Sequence, residues 1–174
     1  MIEKKVEAAF NEQINAEMYS AYLYLSMSAW SQEQNLPGFG GWMQAQAMEE
    51  MTHAMKFYHH IIERGGRVVL GAIEKPPVKW ASPLAMFEAV LEHEQKVTGL
   101  INDLVDVAEA QKDRAAGIFL QWFVTEQVEE EASADQVIQQ LKMMGNAPHA
   151  LFMMDRELSK RPAAGGGSGG GGSE

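Results

Sequence analysis

Cysteine is absent from the 174-residue chain. That absence excludes a disulfide framework and every thiolate metal site, and it fits a reducing compartment. Positive charge is scarce. Fourteen lysines and arginines stand against 24 aspartates and glutamates, a formal net charge of −10, and there is no basic run. A nucleic-acid partner is therefore not expected, whereas attraction for cations is. No apolar stretch is long enough to span a bilayer, and the opening MIEKKVEAAF lacks the apolar run of a secretory signal. The expectation is a cytoplasmic protein with no membrane partner. Only six prolines occur, so each reads as punctuation between elements.

Apart from its last residues, the chain is full of helical periodicity. The segment 162–174 is nearly all glycine, alanine and serine and reads as a flexible linker, an added tail rather than a working part. Before it, apolar residues recur at steps of three and four, which predicts one domain over residues 1–161. The first helix is expected from about Glu3 to Gln32. The turn Asn35 to Gly38 sends a second helix back from Phe39 to Arg64, where Gly65-Gly66 stop it. The longer link RVVLGAIEKPPVKWA contains Pro76-Pro77, which forbid helix, and is read as loop. Ser82-Pro83 then opens a third helix, running to about Gln111, as N-cap and first-turn proline. After KDR, a fourth helix runs from about Ala115 to Met144, and Pro148 starts a short fifth to about Ser159.

Four helices of similar length, roughly 40 Å each at about 1.5 Å per residue, joined by short, long and short links, make an all-α fold. It is an up-down four-helix bundle with one long crossover between helices 2 and 3, plus a short C-terminal helix. The twelve methionines are expected chiefly as flexible core filler.

Acids interrupt the core stripes. The first stripe reads Val6, Phe10, Gln13, Glu17, Ala21, Tyr24 and the second Phe39, Met43, Gln46, Glu50, His53, Phe57, Ile61. The third reads Leu84, Phe87, Leu91, Glu94, Thr98, Ile101, Val105 and the fourth Leu120, Phe123, Gln127, Glu130, Ala134, Val137, Leu141. Each is apolar at its ends and carries a glutamate near its middle. On one helix alone, such an acid reads best as a slip of register or a side chain reaching the rim. Four at comparable depth, uncompensated, would cost several kcal/mol each, comparable in total with the stability of a domain. No lysine or arginine lies mid-stripe, so a metal is the remaining counter-charge. Glu17, Glu50, Glu94 and Glu130 carry about four negative charges when ionised, which two divalent ions match. A neutral His53 adds nitrogen, which suits iron better than calcium or magnesium, while manganese or zinc could use the same ligands.

At these residues the chain resembles the non-haem ferritins of bacteria and archaea over residues 1 to about 161. The matching pieces are NAEMYSAYLYL with Glu17 and Tyr24, EEMTHAM with Glu49, Glu50 and His53, LEHE ending in Glu94, and EQVEEE with Glu126, Gln127, Glu129 and Glu130. Lone glutamates plus i, i+3 pairs are the general ligand pattern of such bundles. The resemblance implies that Glu17, Glu50 and His53 hold one iron, with Glu50 bridging to a second held by Glu94 and Glu130, and that Gln127 hydrogen-bonds nearby. It also implies a third, looser site of Glu49, Glu126, Glu129 and Glu130 toward a cavity. From the pattern alone, Glu49, Glu126 and Glu129 sit beside the core stripe and read better as a solvated acidic face. Tyr24 lies two turns from Glu17, as a core aromatic or as an electron donor beside the irons. The implied activity is ferroxidase: Fe(II) oxidised by dioxygen, with ferric mineral stored in a homo-oligomeric shell, typically of 24 subunits. The fifth helix is expected at a shell axis, with the tail directed into the cavity or through a pore.

The chain departs from related patterns. Bacterioferritins repeat Glu-x-x-His in the fourth helix; here Gln127-Val128-Glu129-Glu130 has no histidine, and Met51 reads as a packing residue, so no haem is expected. Without cysteine there is no rubredoxin iron of the rubrerythrin kind, and an intrachain ligand set is unlike Dps-type mini-ferritins. The intact set also argues against a purely structural scaffold. Animal ferritins line three-fold channels with acids early in the fourth helix, and AAGIFLQWF has none. His59, His60, His93 and His149 are expected at the surface or at interfaces.

Overall fold

The computed structural model describes residues 1–145 and 148–161. The tail from 162 onward, and with it the expectation about where it points, lies outside the described residues. Among the described residues five helices follow in order: α1 (Lys4–Glu33), α2 (Pro37–Glu63), α3 (Pro83–Ala110), α4 (Arg114–Met144) and α5 (Pro148–Leu158). The described residues include no strand, and RVVLGAI is loop. Among the described residues no helix is long and apolar enough to cross a membrane.

The boundaries follow local chemistry. Ser82 Oγ accepts a hydrogen bond from the Ala85 amide at 3.1 Å, and Pro83 fills the first helical position of α3. Asp113 does the same for α4, accepting from Ala116 at 3.1 Å. α2 ends where Gly65 takes φ +70°, which L side chains rarely adopt. The start of α2 is different. Its N-cap, Leu36, has no capping side chain. Instead Asp155 of α5 accepts from the Gly38 and Phe39 amides at 2.8 and 3.0 Å. The approach is so close that a Cβ on Gly38 would stand 1.7 Å from the Asp155 carbonyl oxygen.

The crossover is strapped lengthwise along α1. Asn11 Oδ1 accepts from the Val69 amide and its Nδ2 donates to Arg67 O, Asn15 donates to Ala72 O, and Ser26 donates to Pro77 O. These hydrogen bonds hold the long link in an extended path from one end of the bundle to the other.

The interior consists of two apolar halves. One contains Tyr24, Met27, Trp30, Phe39, Met43, Phe87 and Leu141; the other contains Val6, Phe10, Phe57, Ile61, Ile101, Leu120 and Phe123. A band of buried polar side chains lies between them. The expected stripes of α1, α2 and α4 are buried throughout. The α3 stripe needs correction. Phe87, Glu94 and Ile101 are buried, but Leu84, Leu91, Thr98 and Val105 are only half-buried, and Val90, Val97 and Leu104 complete the core line. Both flanks of that heptad are largely apolar, so only packing against neighbouring helices could choose between them.

Candidate metal centre

Mid-bundle, each long helix contributes a carboxylate. Glu17 is 1 % exposed, Glu50 2 %, Glu94 1 % and Glu130 7 %, with His53 at 4 %. Among the described residues no lysine or arginine is buried, so no side-chain cation compensates them. Glu17, Glu50 and His53 each bring a ligand atom within 4.8 Å of the other two, and His53, Glu126 and Glu130 form a second such group. His53 is shared between the two groups. Its Nδ1 lies 3.2 Å from Glu50 Oε2, and its ring stands edge-on to Trp122 and Phe123.

Around these groups lies a shell of amides and hydroxyls. Gln13 donates to Glu17 Oε1 at 2.9 Å and Gln46 to Glu130 Oε2 at 2.7 Å. Tyr24 donates its phenolic hydrogen to Glu94, and Gln127 Nε2 donates to the other Glu94 oxygen at 3.2 Å. Thr98 donates to Glu131 at 2.5 Å, so its oxygen faces the Gln127 amide, 3.4 Å away, as an acceptor. Glu94 thus has both oxygens engaged and belongs to neither three-residue group, although its charge is felt by Glu50 and Glu130.

The electrostatics follow from burial. Desolvation first, and the Glu50 charge second, hold the Glu17 carboxyl well above its ordinary value. Glu50 is pushed up by burial and then by Glu94 and Glu130, and Glu130 rises to about 7, by burial and then by Glu94. Burial also raises Glu94, opposed by the Tyr24 and Gln127 hydrogen bonds. Tyr24 itself stays protonated, raised by burial and by Glu94. Within this cluster two buried atoms, Glu17 Oε2 and Gln46 Oε1, have no hydrogen-bond partner among the described residues. An orphaned carboxylate oxygen beside a histidine and a second carboxylate suits a divalent cation, whose charge would reverse the cost of ionising the cluster.

The outer acids stand apart. Glu126 is half-buried and joins His53 and Glu130, with its carboxyl raised by burial. Glu129 is exposed, and Glu49 is half-buried and paired with Arg161 at 2.6 Å. His59 and His149 are exposed as expected, but His60 stacks on Phe119 and His93 accompanies Ser20 at 2.8 Å. Burial, then Lys96, lowers His93 to about 4. Gln13 and Gln46 lie on the core stripes, and the sequence pattern alone assigns them no role. Their signal was a buried amide one turn before a glutamate. Glu131, which accepts from Thr98, and Arg161, which pairs with Glu49, are marked by no local sequence pattern.

A model of the ferritin-like domain matches residues 7–144. The bacterial non-heme ferritin of Bacteroides fragilis is 45% identical over 161 residues, 92% of this chain and 100% of that one. That of Campylobacter jejuni is 41% identical over 156 residues, 90% of this chain and 93% of the relative. Among solved structures, an open pore ferritin from the hyperthermophilic archaeon Archaeoglobus fulgidus superposes with a TM-score of 0.92. It is 52% identical, covering 93% of this chain and 100% of that chain.

Proposed function

The chain belongs to the ferritin family, and on that premise we propose that it stores iron, oxidising Fe(II) with dioxygen at the mid-bundle cluster and keeping the ferric mineral inside a hollow shell of like subunits. The observation that carries this reading is four buried glutamates and a histidine with no buried lysine or arginine among the described residues to balance them. In this reading residues 1–161 form the working domain, residues 162–174 are a linker, 24 copies close the shell, and the protein is cytoplasmic.

Iron is the substrate here. Glu17, Glu50 and His53 hold one ion, and Glu50 bridges to a second, which Glu94 and Glu130 complete. Glu126, close to His53 and Glu130, extends this set with Glu49 and Glu129 toward a third ion. Each Fe(II) gives one electron to dioxygen, and the protein supplies placement and charge. The raised carboxyls of Glu17, Glu50 and Glu130 give up protons when cations arrive, so loading releases acid. Gln13 and Gln46 hold Glu17 and Glu130 in place while leaving other carboxylate oxygens free. Tyr24 and Gln127 clamp Glu94 in one orientation, and the phenol stands within one hydrogen bond of the ligand set as an electron donor or orienter.

Oxygen consumption on adding Fe(II) to the metal-free protein tests the activity. Rapid uptake that ends once the iron is oxidised supports it; oxidation no faster than in buffer alone rejects it. Light scattering tests the shell, and a stable dimer as the largest species would reject it.

A further inference from the structure

The end of α5 carries a contact that the iron chemistry above does not use. Arg161 lies past Leu158 in sequence, yet its Nη2 donates to Glu49 Oε2 at 2.6 Å, across 112 residues. Its guanidinium sits 4.4 Å from the centre of the Trp42 ring, and its buried Nη1 has no hydrogen-bond partner among the described residues. Stacking on an indole while forking toward a carboxylate is a placement that arginine suits and lysine does not. The backbone is held there too, because Asp155, nearer the start of the same segment, caps α2.

Glu49 has electrostatic reach. Burial is the larger cause of the raised carboxyls of Glu50, Glu126 and Glu130, and the Glu49 charge adds to each. Arg161 is the cation paired with Glu49, at 2.6 Å. We infer that Arg161 is the stand-in counter-ion of Glu49: it holds the carboxylate when no third cation is bound and must swing away before Glu49 can ligate one. The end of α5 thereby sets occupancy of the cavity-side site without touching the two inner sites. This inference rests on the proposed third site. Arg161 is a positioning residue here, since it acts through Glu49 and touches no substrate.

Zn(II), which is not oxidised, probes this directly by calorimetric titration of the assembled, metal-free protein and its R161Q, R161K and E49Q variants. The two tight Zn(II) ions should bind R161Q as they bind the parent, while a third binds roughly three- to tenfold more tightly, because a part-exposed ion pair and the repulsion of a fixed cation have gone. R161K should fall between them, E49Q should lose the third ion, and adding R161Q to E49Q should change nothing further. Amide exchange separates displacement from mere structural support. In the parent, exchange over residues 156–161 should quicken as the third Zn(II) binds, and in E49Q it should not. Unchanged third-ion affinity in R161Q, with E49Q still losing that ion, overturns the role of Arg161 alone. No third ion in any variant overturns it together with the third site, and leaves the two-ion reading standing.

Discussion

Glutamates occur in two neighbourhoods one helical step apart, and they behave differently. Glu50 is buried with its carboxyl pushed well up, whereas Glu49, its neighbour in sequence, is half-exposed and paired with an arginine. Glu130 is buried and raised to about 7, while Glu129 beside it is exposed. Residue type is constant across these pairs. What changes is whether water or protein surrounds the carboxylate, and so whether its charge must be met by a metal, by a proton or by solvent. The inner acids are therefore the ones that need a counter-charge, while the outer ones are met by solvent or by a surface cation.

The comparison is broken hardest at Glu50. Glu50→Ala should slow rapid Fe(II) oxidation at least about a hundredfold, since even partners of ligands are worth 10- to 100-fold, and leave the oligomer intact. Stopped-flow absorbance reads the rate, and survival within about twofold of the parent would contradict the bridging assignment.

A second break uses pH on the metal-free protein. Glu130 titrates at about 7 when folded, above its ordinary value, and Glu17 and Glu50 are raised as well. A group raised by folding adds stability that is complete below its ordinary pKa and is lost as pH rises through the folded value. The melting temperature should then fall by on the order of 5 °C between pH 5 and pH 8. Two equivalents of Zn(II) should flatten that slope, because the ions replace the protons. Calorimetry showing a metal-free protein that gains stability across this window would refute the buried, uncompensated cluster.

The next perturbs the outer acids from a distance. Gly38→Ala places a methyl group 1.7 Å from the Asp155 carbonyl oxygen, backbone that can yield only if α5 shifts. We expect a loss of about 1–3 kcal/mol, in the range of overpacked sites, with faster amide exchange over α5 and an unchanged initial oxidation rate. A slowed initial rate would show that α5 supports the inner site as well.

The gentlest change is Glu129→Ala. The first oxidation phase should stay within about twofold, as for a surface substitution, while the ratio of iron oxidised to oxygen consumed shifts. An unchanged ratio would return Glu129 to a solvated face.

Much of this was visible along the chain. Ser82-Pro83, Gly65 and Asn35 mark ends of helices through local geometry, and steps of three and four bring Glu17, Glu50, Glu94 and Glu130 onto core faces. Such features depend on neighbours within a turn or two, and one-dimensional order therefore determines them. The flank of α3 that closes the core was not written there, because Leu84, Leu91 and Val105 are as apolar as Val90, Val97 and Leu104. Nor was the grouping of Glu126 rather than Glu94 with His53 and Glu130, since Tyr24 and Gln127 reach Glu94 from two other helices. The capping of α2 by Asp155 and the pairing of Glu49 with Arg161 join residues more than a hundred positions apart. No periodicity carries that information. It comes into being only when α5 lies against α2, where one carboxylate meets two free amides and one guanidinium meets an acid and an indole.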